Sequence, residues 1–163
     1  MVRRIFVIFC VFVAVAASTS ATEPAKTAVA QVRAVMDKFA EAWQAKDVAA
    51  ATRLTVQDAD MIWIGTDAAE RWVGWKQLKS SCERQFAALE KLKLVPHDRV
   101  VKVSQGGDVA WVFELWDMDV VSGGQPAKIK DMRSTFVLEK RQGHWLLAQG
   151  HFSIGVAGQA VKY

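Results

Sequence analysis

From Lys93 to Ser153 the chain alternates strand-length runs with short glycine-bearing breaks, a pattern that few folds accommodate. The runs are Lys93–Ser104, Val109–Val121, Ile129–Arg141 and Trp145–Ser153, and the breaks are QGGD, SGGQP and RQG. Glycine supplies the positive backbone angles that tight hairpin turns need, so successive runs are expected to pair antiparallel. Upstream the period changes. Val29, Val32, Met36, Phe39 and Trp43 recur at helical spacing after Thr22-Glu23-Pro24, a hydroxyl, an acid and a proline suited to a first turn. Asp47 can cap a short second helix, VAAATRL. DMIWIG (Asp60–Gly65) and ERWVGW (Glu70–Trp75) flank TDAA and read as a hairpin. Trp75 to Leu92 turns helical again through Leu78, Cys82, Phe86 and Leu89. The order α-α-β-β-α-β-β-β-β, with helices interrupting an antiparallel sheet, predicts the α+β class.

The N-terminus reads as a leader. Met1-Val2-Arg3-Arg4 precedes IFVIFCVFVAVAA and then the small residues ASTSA, the layout of a secretory signal peptide. Thirteen apolar residues fall short of the roughly 20 that a membrane-crossing helix needs. The expectation is a signal peptide over residues 1–21, a single domain over 22–163, and an exported protein, periplasmic or secreted, off the membrane once cleaved. Of the 21 Lys and Arg, two lie in that leader, leaving 19 against 17 Asp and Glu and a charge of about +2. No basic cluster with interleaved aromatics stands out, which argues against nucleic acid as a partner. Cys82 is then the one cysteine left, read as packing within its helix. His97, His144 and His151 show no ligand spacing with Cys or acids, so no metal is expected. No Gly-rich phosphate loop is present either, and no cofactor is expected.

FAEAWQAKD (Phe39–Asp47), IWIGTDAAERWVGW (Ile62–Trp75) and STFVLEKRQGHWLLAQGHFS (Ser134–Ser153) together resemble the nuclear transport factor 2-like superfamily, and within it the SnoaL-like group. The resemblance implies a cone-shaped, strongly curved mixed or antiparallel sheet wrapped around a long N-terminal helix, with a cavity at the wide end. It also implies pairing into a homodimer through the sheet's outer face. The superfamily includes ketosteroid isomerase, cyclases, dehydratases and the calcium/calmodulin-dependent kinase II association domain, so the fold alone does not choose an activity.

Alternation along a strand sends one parity inward, but on Val109–Val121 both parities begin apolar. The resemblance decides between them, because the kinase association domain's cavity arginines fall at Trp116, Phe136 and Phe152 here. The implied ligand pocket is Phe39, Trp43, Trp63, Trp116, Met118, Met132, Ser134, Phe136 and Phe152, with Glu114 among them as a candidate general base raised in pKa by burial. Aromatics in place of cations suit a small apolar or aromatic molecule. The isomerase's base, tyrosine and acid donor would fall near Trp63, Phe39 and Ser134, which disfavours steroid isomerisation. Asp117, Asp131, Arg133 and His151 are expected as a polar cluster on the outer face, with His151 non-catalytic. Two functions compete: a binder of a small, largely apolar molecule, with isomerase, lyase or cyclase chemistry among its options, and a non-catalytic dimeric interaction or assembly module with a filled cavity. A void of about 300 Å³ or more with Glu114 exposed to it would favour the first. A cone plugged by Trp63 and Trp116 would favour the second.

Overall fold

The structure, a computed structural model, describes residues 23–158 and 161. The expected leader and its cleavage lie outside the described residues. Helix α1 (Glu23–Gln44) is followed by a short α2 (Val48–Arg53), whose first turn is closed by Asp47 Oδ1 accepting from the Ala50 amide at 2.9 Å. Strands β1 (Ile62–Ile64) and β2 (Arg71–Val73) form the hairpin, α3 spans Trp75–Ala88, and four long strands follow: β3 (Leu89–Val103), β4 (Val109–Ser122), β5 (Gln125–Arg141) and β6 (His144–Ser153). The helix expected to reach Leu92 ends four residues earlier. Leu89 takes an extended conformation and pairs with Ser122, so the long β4 arm recruits those residues into the sheet.

The six strands form one curved, unclosed sheet in the order β2-β1-β6-β5-β4-β3. It is mixed: β1 lies parallel to β6, and every other neighbour is antiparallel. Its concave face is filled by α1, whose Val32, Met36 and Phe39 are buried at the predicted helical spacing. Each such side chain contributes roughly 1.5–3 kcal/mol when fully buried. Polar ties help set the helix over the sheet: Trp145 Nε1 donates to Gln31 Oε1 at 3.2 Å, and the Leu94 amide donates to Gln44 Oε1 at 3.0 Å.

Bulges determine which side chains face inward. Along β6, Trp145 and Leu147 point into the core, yet farther on it is Gly150 and Phe152 that do so. The switch occurs where Leu138 pairs with Leu147 and Val137 with Gln149, leaving Ala148 as an extra residue that reverses the alternation. Gly150 then lies under the Trp63 ring so closely that a Cβ there would sit 2.5 Å from it. A second bulge sets Asp117 of β4 against both Lys130 and Asp131 of β5, and a third lies between His97 and Val100 of β3.

Candidate functional site

The even-numbered residues Glu114, Trp116, Met118, Met132, Ser134, Phe136 and Phe152 all face the interior, and each is buried. Rings from six elements meet there at tilted and edge-on angles, with Trp43–Phe86 and Trp116–Phe152 centroids 5.2 Å apart and Phe39–Phe136 5.8 Å apart. The stack does not close completely. Between β1–β2, α3 and the ends of β4 and β5 lies a cavity of about 210 Å³.

Six residues of the pocket expected from the sequence border this cavity: Trp43, Trp63, Trp116, Met118, Met132 and Phe152. Phe39, Phe136 and Ser134 lie behind them in the buried core and do not line it. The remaining wall is one the sequence reading left out. The hairpin supplies Gly65, Thr66, Glu70 and Trp72; α3 supplies Leu78, Cys82 and Gln85; Leu89, Val120 and Ile129 complete the wall. For Leu78, Cys82 and Val120 a signal existed in the helical stripe and in the even parity carried past Met118; for the hairpin residues there was none.

The wall is chemically quiet. Among the described residues its titratable groups are Glu70 and Cys82. Glu70 Oε2 is occupied by the Thr66 and Asp67 amides at 2.7 and 3.1 Å, closing the hairpin loop. Burial pushes the Cys82 thiol up to about 11, so it stays protonated at neutral pH. One polar atom stands out. The indole Nε1 of Trp63 is buried and has no hydrogen-bond partner among the described residues, an uncommon state for a buried donor.

Glu114 does not border the cavity. It is 0 % exposed, ion-paired through Oε2 with Arg99 Nε, and accepts from Trp116 Nε1 at 2.5 Å through Oε1. Arg99 continues to Asp37 Oδ1 at 2.5 Å and to the Arg33 carbonyl at 3.1 Å, joining β3 and β4 to α1. In place of a lone desolvated base, the fold builds a satisfied ionic tie whose far end holds one wall of the cavity.

On the convex face, Arg133 and His151 are exposed, with Arg133 donating to the Ile154 carbonyl at 3.4 Å. Asp117 and Asp131 do meet, but their companions are His97 and Lys130. His151 instead sits across from Thr135 on β5.

The profile of the SnoaL-like domain family matches residues 32–157. Among curated proteins none matches significantly. Several solved structures share the fold. A nuclear transport factor 2-like superfamily protein from Salmonella enterica serovar Typhimurium is 16 % identical, with a TM-score of 0.75 over 85 % of this chain and 99 % of that one. A candidate dehydratase of the same superfamily from Streptomyces avermitilis is 19 % identical, TM-score 0.73, over 81 % and 99 %. A candidate calcium/calmodulin-dependent protein kinase II association domain from Xanthomonas campestris is 23 % identical, TM-score 0.66, over 78 % and 87 %.

Proposed function

The chain belongs to the SnoaL-like domain family, and from that premise we propose that it binds a compact, uncharged aromatic molecule in the cavity beneath Trp63 and Trp116. The observation that carries this reading is a largely apolar void of about 210 Å³ whose one lining carboxylate, Glu70, is already engaged by loop amides. The volume is below the 300–1,000 Å³ usual for drug-sized ligands. It exceeds the ~150 Å³ cavity that is known to admit benzene. One ring with a few substituents is therefore the matching size. Trp63 borders the cavity and its indole Nε1 is unpartnered, so a ligand acceptor that reached it on a small turn of the ring would relieve a cost of about 1–3 kcal/mol.

With Glu70 engaged by loop amides, Cys82 protonated and Glu114 sealed away, the wall offers holding rather than proton transfer. The reading is thus of a binding protein, without isomerase or lyase chemistry at this cavity. Titrating the protein with toluene and p-cresol, while following tryptophan fluorescence, tests it. Saturable quenching, stronger for p-cresol, is expected, and Ile129→Trp at the mouth should remove it. Quenching that never saturates, or that survives Ile129→Trp, would leave the cavity as a packing defect of a non-catalytic interaction module.

A second reading concerns assembly. Trp111 (51 % exposed), Phe113 and Val100 form an adjoining apolar patch on the convex face, where Phe113 pairs with Val100 across β4–β3. Contiguous exposed aromatics of this kind favour a homodimer joined through the sheet.

A further inference from the structure

We propose that His97, Asp117 and Asp131 form a binding site for a divalent first-row transition metal ion, of the Zn²⁺ or Mn²⁺ kind, on the convex face and separate from the cavity. The three side chains come from three neighbouring strands, β3, β4 and β5, at the places where two bulges interrupt the pairing. One ligand atom from each lies within 4.8 Å of the others. His97 Nε2 stands 3.5 Å from Asp117 Oδ1 and 3.6 Å from Asp131 Oδ1.

The orientation of the imidazole is the informative feature. His97 Nδ1 lies 3.2 Å from Asp98 Oδ2; in the neutral tautomer that donates there, Nε2 carries the lone pair. The Nε2 atom is buried, has no hydrogen-bond partner among the described residues, and stands opposite two carboxylate oxygens. Three acceptors turned toward one another repel unless a positive charge lies between them. Metal-bound histidines use this same arrangement, with the second ring nitrogen held by a carboxylate. Bond lengths of about 2.0–2.2 Å to nitrogen and oxygen require only small side-chain movements to close around an ion here. One imidazole with two carboxylates suits Zn²⁺ or Mn²⁺, and solvent completes the coordination because the site is open on one side.

The other groups at the site are compatible with an ion. Lys130 Nζ takes the other oxygen of Asp117, Oδ2, at 2.5 Å. The Asp131 amide donates to Asp117 Oδ1 at 3.1 Å, which leaves that oxygen a second lone pair. The cation of Lys130 opposes a metal, so its removal should tighten binding.

The test is calorimetric titration of the chelator-stripped, full-length chain with ZnCl₂ and, separately, MnCl₂. One equivalent per chain is expected for at least one of the two. Asp131→Asn keeps a residue that tolerates the left-handed backbone of this position (φ 51°), and should weaken uptake by at least about tenfold, the lower end of what even outer-shell changes do to metal sites. His97→Gln should act likewise, Lys130→Met should strengthen uptake, and His151→Gln should leave it unchanged. If His97→Gln does not fold, Asp131→Asn alone decides. Absence of saturable uptake by the parent protein means that a proton, as an imidazolium pairing with both carboxylates, fills the gap, and overturns the proposal. Uptake indifferent to Asp131→Asn overturns it as well, by placing the metal elsewhere.

Discussion

Trp116 Nε1 donates to Glu114 Oε1 at 2.5 Å, so the indole that walls the cavity is fixed by a carboxylate wholly removed from water. The same carboxylate neutralises Arg99, whose side chain is only 10 % exposed. Packing, charge and cavity shape therefore meet in one residue that the sequence reading, through the family resemblance, had taken as an inward-facing candidate general base.

Replacing Glu114 with Gln leaves Arg99 without its buried counter-ion. Removing one partner of a buried pair costs about 3–5 kcal/mol, and urea denaturation should show a loss of that order. Because Trp116 loses its anchor, p-cresol affinity should fall in the same variant. Unchanged stability would contradict the structural role assigned to the pair.

Gly150 illustrates a residue required by close approach. A methyl group there would press 2.5 Å from the Trp63 ring, on the side backed by β6. Gly150→Ala should push Trp63 toward the cavity and destabilise the fold by about 1–3 kcal/mol, the usual cost of overpacking. Reduced access for toluene should accompany the loss. A variant with parental stability and binding would show that the sheet yields freely at this point.

The convex patch makes a prediction about assembly. Trp111→Glu places a charge amid Phe113 and Val100 while leaving the core untouched. Native mass spectrometry should register the parent protein as a dimer and the variant as a monomer. Dimers that persist in the variant would locate the contact elsewhere.

Acid should loosen the tie between the segment after α2 and β5. Arg141 grips Asp58 with two hydrogen bonds, at 2.8 and 2.5 Å, and this grip holds the Asp58 carboxyl below its ordinary value of 3.8. A carboxylate lowered on folding adds stability that is complete above the unfolded value and disappears as pH falls through the folded one. The Tm difference between the parent and Asp58→Asn should accordingly be constant near neutrality and shrink below about pH 4. A difference that grows on acidification would contradict the sign.

Much of this was legible in the residues. Val32, Met36 and Phe39 mark the buried stripe of α1 because a helix repeats its face every three to four positions. Trp116, Met132, Phe136 and Phe152 were placed on the inner face through the likeness to related domains, and each is buried. The early end of α3 was not legible. Leu89 through Leu92 carry helical spacing, but pairing with β4 outweighs that local preference.

The sequence by itself determined the kinds of element, their order and the apolar face of α1, because periodicity is a property of residues close together along the chain. The tertiary structure alone decided which groups meet across strands. Ala148 reverses the alternation of β6, Arg99 finds Glu114 and Asp37, and His97 is brought to Asp117 and Asp131 although no spacing along the chain announces a ligand set. Those meetings depend on strand register, and register is set by where each bulge adds a residue, which only the folded sheet as a whole specifies.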